Sequence, residues 1–151
     1  MVFKHIMNAP ADKYYMFLID DFAIKRPFIE FLSMMGFVCR DNQKTGKSAI
    51  IVQLDVFDKF GVPRIEREPV ERDASRVLAR GLGGAGDGGL IVNNKGAHIL
   101  YEHMCETGAA WNLEGELWRI AQAEGQSGFY SIIPSRYMID FIRVPLSAYE
   151  H

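Results

Sequence analysis

Phe28, Phe31, Leu32 and Met35 recur at the three-to-four-residue spacing that builds one buried helical face, with Pro27 suited to the first turn and Gly36 placed for a left-handed cap. Upstream, Ala11 to Ile24 is dense in helix formers and aromatics, which predicts a separate short helix there. Beyond Gly36 the pattern shifts. Phe37 to Arg40 reads as a short strand and DNQKTG as a polar turn. Ser48 to Phe57 reads as a second strand, with Leu54 and Val56 alternating against Gln53 and Asp55. Together these predict a β-hairpin.

The charged span 58–73, carrying Pro63 and Pro69, predicts an exposed connection, followed by a short helix near Val70 to Arg80. Six glycines between Gly81 and Gly89 predict a flexible loop. Leu90 to Val92 reads as a strand. Lys95 to Cys105, capped by Asn94, and Leu113 to Ala123, capped by Asn112, read as helices. Strands near Phe129 to Ile133 and Tyr137 to Val144 close the chain, joined by Pro134 to Arg136. The expectation is one α+β domain over residues 1–151.

Composition adds exclusions. The chain is 48% hydrophobic and 24% charged, as a folded globular domain is, and 151 residues suffice for one core. No apolar run reaches the roughly 18 residues of a membrane span, and MVFKHIMNAPADK lacks the apolar segment of a signal peptide. A cytoplasmic protein with no membrane partner is expected. Cys39 and Cys105 are too few for a disulfide framework and lack CxxC spacing, so reduced thiols and no structural metal are expected.

Net charge is −2, but its distribution is uneven: Lys25, Arg26, Arg40, Lys44 and Lys47 face only Glu30 and Asp41 between residues 25 and 47, a local +3. Two phosphate motifs within reach of such charge fail. GKS at 46–48 would need a glycine where Asp41 stands and a helix where Ala49-Ile50-Ile51-Val52, rich in β-branched residues, predicts a strand, so the tripeptide reads as a turn. Gly81, Gly83 and Gly86 satisfy GxGxxG without the strand before it or the helix after it. No cofactor is expected.

Other chemistry has plainer readings. His98, Glu102 and Cys105 fall at i, i+4 and i+7 on one helical face and could combine with the 81–89 loop in a small enzyme, yet such a row is usually the solvated side of a helix. Tyr14, Tyr15, Phe17, Phe22, Phe28 and Phe31 could stack bases, but at this spacing aromatics usually fill a core.

Residues 26–54, RPFIEFLSMMGFVCRDNQKTGKSAIIVQL, resemble the second half of a winged-helix domain, with Leu32, Gly36-Phe37-Val38 and Ile50 to Leu54 in the matching places. LIVNNKGAHILYEHM, residues 90–104, is similar to the strand, Lys-Gly step and closing helix after a wing, a rival placement with the glycine-rich loop as its tip. The resemblance implies DNA as partner. Lys25 and Arg26 at the helix start and Arg40, Lys44 and Lys47 on the hairpin would then meet phosphates. The alternative is a protein-binding accessory or inhibitor module anchored on Trp111, Trp118 or Tyr130. Either way the chain is expected to recognise a macromolecule without catalysing a reaction.

Overall fold

The computed structural model describes residues 2–18, 21–55, 68–72, 75–81, 88–107, 113–125, 127–134 and 136–142. In chain order the elements are α1 (Val2–Met7), β1 (Tyr15–Leu18), β2 (Phe22–Ile24), α2 (Phe28–Thr45), β3 (Ile51–Gln53) and β4 (Glu68–Arg72). They continue with β5 (Val77–Arg80), β6 (Gly89–Val92), α3 (Asn94–Thr107), α4 (Leu113–Glu124), β7 (Phe129–Ile133) and β8 (Ile139–Phe141). The result is an α+β domain.

A six-stranded sheet in the order β1-β6-β3-β7-β5-β4 divides the core. Only β3 and β7 run parallel; every other neighbouring pair is antiparallel. Because successive strand residues point to opposite faces, Val52, Ile91, Tyr130 and Ile132 pack under α2, while Ile51, Leu90, Val92 and Phe129 pack with α1, α3 and α4. Both faces are covered, so these strands are apolar at nearly every position rather than alternating. Strands β2 and β8 form a separate two-stranded ribbon on the α2 side, where Phe22, Met138 and Ile139 join that core.

Helix α2 departs most from expectation. It runs 18 residues, straight through Gly36, and ends at Gly46, whose φ of 71° lets its N–H reach the carbonyls of Asn42 and Gln43. A helix-interior glycine costs about 1 kcal/mol. Phe31, Met34 and Val38 are buried against the sheet and each returns about 1.5–3 kcal/mol, which decides the matter. Residues 37–45 are therefore helix, the 37–54 hairpin does not form, and β3 pairs instead with β6 and β7 from distant sequence. The GKS tripeptide is the turn after the helix cap, as its chemistry predicts.

Other expectations divide similarly. The helix expected within 11–24 is β1 and β2, and the helix expected near 70–80 is the β4–β5 hairpin. The last two strands do not pair with each other: β7 lies between β3 and β5, and β8 pairs with β2. Strand 90–92, both later helices and strand 129–133 form where expected. The cap of α3 is Asn93 rather than Asn94, with Asn93 Oδ1 accepting from Gly96 N–H at 2.8 Å and Ile50 N–H at 3.0 Å. A Cβ on Gly96 would collide with the Ile50 carbonyl, so glycine is what lets α3 start against β3. Most of the expected connection (58–67) and of the glycine-rich loop (82–87) lies outside the described residues; Gly81, Gly88 and Gly89 are buried.

Candidate functional site

The geometry of α2 defines the candidate site, because the helix is tied down on one side and open on the other. On the β5 side, Asp41 accepts from Arg80 Nε at 2.8 Å and Arg80 Nη2 at 2.5 Å, and its Oδ2 also accepts the Tyr130 hydroxyl at 2.9 Å. Asn42 beside it donates from Nδ2 to the Lys47 carbonyl at 2.8 Å. Hydrogen bonds from Arg80 hold the Asp41 carboxyl below its ordinary pKa, with Tyr130 adding to them and burial opposing. Burial, then the bond to Asp41, pushes the Tyr130 hydroxyl well up. The group is a clamp between α2 and the sheet.

A second polar cluster fixes the first turn of α2. Tyr137 donates to Glu30 Oε1 at 2.7 Å, and buried Arg76 sits between Glu30 and Glu71, with Nε 3.9 Å from Glu30 and Nη1 3.2 Å from Glu71. Arg76 Nη2 donates one long hydrogen bond to Glu71 Oε1 at 3.5 Å, while among the described residues Nε and Nη1 have no hydrogen-bond partner, so charge supplements a single directional contact in holding this guanidinium.

The opposite flank of α2 is apolar and open. A groove of about 470 Å³ runs between α2 and β1, lined by Tyr14, Met16, Phe28, Phe31, Leu32, Met35 and Ile91, with Asp12 and Lys13 at its border. Phe28 is 71% exposed, Ile29 70% and Leu32 51%, all within the first two turns of the helix. Tyr14 closes one end, its hydroxyl 3.0 Å from Cys39 Sγ; burial and that contact push the hydroxyl pKa up to about 12. Ile24, Phe141 and Ile142 add exposed apolar side chains on the β2–β8 ribbon.

The structure does not gather the five cations expected to meet phosphate. Lys25 lies 3.8 Å from Asp140 and Arg26 stacks 4.0 Å over Tyr137, both before the start of α2. Arg40 stacks 4.7 Å over Phe37, and with exposed Lys44 and Lys47 it belongs to the other end of the helix. Eighteen helical residues separate the ends by about 27 Å. Only Arg40, Lys44 and Lys47 stay together.

The aromatic anchors also change. Tyr130, expected at a contact surface, is wholly buried in the Asp41 clamp; Trp111 and the side chain of Trp118 lie outside the described residues. On α3, His98 pairs with Glu102 at 2.8 Å on the exposed face and Cys105 is exposed beyond them. Among the described residues no group of three His, Cys, Asp or Glu side chains is placed to hold a metal.

In the sequence Phe28, Leu32 and Met35 share with Phe31 the spacing of a single core stripe, which hides the apolar groove wall. A signal did exist. Extended to Thr45, the helix carries two apolar rows, Phe31-Met34-Val38 and Phe28-Leu32-Met35, more than packing on one sheet face requires. No protein-family model matches the chain, and no curated protein matches it in sequence.

Proposed function

We propose that this is a non-catalytic protein-binding module whose contact surface is the open flank of α2. The observation that carries the reading is the exposure of Phe28, Ile29 and Leu32 beside an apolar groove on a helix that buried polar clusters hold in place. Large apolar side chains clustered in solvent mark interaction sites, and aromatic anchors seated in pockets dominate interface energies. A rigid helix presents them without an ordering cost.

A nucleic-acid reading keeps narrower support: Arg40, Lys44 and Lys47, exposed within eight residues at the far end of α2. One experiment separates the two. With the protein as bait, a captured partner complex that survives high salt and nuclease, and is lost in the Phe28→Asp/Leu32→Asp variant, supports protein binding. A complex that dissolves in salt or nuclease and weakens in Arg40→Glu/Lys44→Glu/Lys47→Glu overturns it in favour of a polyanion.

A further inference from the structure

The sheet ends in β1 on the groove side, so its outer backbone groups and the groove belong to one surface. Leu54 N–H donates to the Gly89 carbonyl at 2.9 Å and Asn93 N–H to the Ile50 carbonyl at 3.3 Å, which turns residues 89, 91 and 93 of β6 toward β3 and leaves Leu90 and Val92 to bond with β1. Their partners there are Phe17 and Tyr15, so the N–H and C=O groups of Met16 and Leu18 point away from the sheet. Among the described residues nothing bonds to them. Strand Tyr15–Leu18 also contains no proline, charge or bulge to keep another strand from pairing.

The same residues fix where an added strand would send its side chains. Met16 and Leu18 pack on the α2 side of the sheet, and Met16 lines the groove. Residues opposite each other in a ladder share a face, so a strand beside β1 directs the side chains opposite Met16 and Leu18 toward α2 and the intervening ones to the other face. Alternate strand residues are about 6.7 Å apart. Phe28 and Leu32, one turn apart on α2, are separated by about 6 Å along the helix axis, so two successive inward side chains each meet one of them.

Backbone demand and charge narrow the occupant. A docked helix bonds its own backbone and would seal the outward groups of Met16 and Leu18 from water without partners, which is costly, and a small apolar molecule would fill the groove while leaving the edge unanswered. An extended polypeptide supplies both the backbone partners and the side chains. Asp12 and Lys13 stand together at the groove border with opposite signs, and the other described lining residues are uncharged, so the inward side chains it suits are neutral.

We infer that the partner docks as an extended segment that adds a strand to β1 and places large, uncharged apolar side chains, two residues apart, in the groove beside Phe28 and Leu32. This rests on the protein-binding reading and specifies the form in which the partner is recognised: backbone bonds at Met16 and Leu18 give affinity, and the groove reads alternate side chains.

A displayed library of random linear peptides, about eight residues long to match a strand, selected on the purified full chain tests this. Selected sequences are expected to carry apolar residues at two-residue spacing. Synthetic copies, followed by fluorescence anisotropy, should lose about tenfold or more in affinity when N-methylated at every second residue and little when methylated at the intervening ones, a readout that needs no variant protein. Met16→Pro removes an outward N–H without touching the β1–β6 ladder and should weaken binding to a similar degree, whereas Met16→Ala trims the same side chain, keeps the N–H and weakens it less. Circular dichroism confirms that each variant is folded. Peptides with apolar residues at three-to-four-residue spacing, lost in Phe28→Asp/Leu32→Asp and indifferent to Met16→Pro, overturn strand addition and leave the protein-binding reading standing. Binding indifferent to Phe28→Asp/Leu32→Asp overturns that reading and the inference with it. A library that yields no binder also overturns the inference, as does a free protein whose sedimentation shows a dimer that Met16→Pro dissolves, since the edge then belongs to a second copy.

Discussion

Strands β4 and β1 are the two edges of one sheet, and they are finished in opposite ways. In β4, EPVER, the register shifts between Pro69 and Glu71, and charged residues occupy three of the five positions. Gly81 N–H donates to the Phe129 carbonyl, which turns residues 77, 79 and 81 of β5 toward β7 and leaves Leu78 and Arg80 facing β4. Pro69, opposite Ala79, therefore points its nitrogen outward, where a missing N–H costs no ladder bond and denies one to a newcomer. Strand β1, YMFL, has none of these devices. The overlying helix follows the same division: the Asp41 and Arg76 clusters join α2 to β7, β5 and β4, whereas toward β1 there is an open groove. One edge is closed against association and the other is available for it.

The largest expected effect comes from breaking the closed half. Asp41→Ala would leave Arg80 and the Tyr130 hydroxyl without their shared acceptor and is expected to cost about 3 kcal/mol in urea unfolding. The same group gives a pH dependence of defined sign. Because the folded-state pKa of Asp41 lies below its unfolded value of 3.8, its contribution is fully present above that pH and is lost as pH falls through the lower, folded value. Stability curves of wild type and Asp41→Ala should therefore converge on acidification. A constant gap down to the acid limit would mean that the carboxylate's charge is not what holds α2 to the sheet.

What could be read in the sequence follows the range of the interactions that decide each element. Helices α3 and α4 and strands β6 and β7 carry their caps and apolar runs locally, and they form where expected. The GKS turn was legible because Asp41 and the β-branched run after it are local facts. Strand β1 was not, since Tyr15 and Phe17 enter one core and Met16 and Leu18 the other, which erases the alternation that marks a strand. Gly36 misled for the opposite reason. A local stop signal was outweighed by burial of Met34 and Val38 against strands from remote sequence. The cationic site depended on that stop: once residues 37–45 are helical, Lys25 and Arg26 are separated from Arg40, Lys44 and Lys47, while the apolar row that the longer helix exposes takes their place as the candidate surface.

A smaller effect is expected on the open half. Tyr14→Phe removes only the hydroxyl that meets Cys39 at the end of the groove and should change stability by about 1 kcal/mol or less near neutral pH. Its sign with pH is opposite to that of Asp41. The Tyr14 pKa is raised from 10.0 to about 12, so its contribution is present below pH 10 and fades as pH rises through 12. The difference between wild type and Tyr14→Phe should shrink over that alkaline window, as measured by urea unfolding. A gap that stays constant across it would show that the hydroxyl bond does not close the groove.

The smallest effect should come from Pro69→Val, which returns an outward N–H to the blunted edge. No ladder bond is gained or lost, so stability is expected to stay within about 0.5 kcal/mol of wild type. Sedimentation in the Met16→Pro background, where β1 cannot pair, then isolates the β4 edge. If the bulge and the charges of EPVER suffice to blunt it, that double variant remains monomeric, because the register break still prevents a straight run of strand bonds. If it associates, proline alone was the barrier, and the contrast between the two edges reduces to one residue.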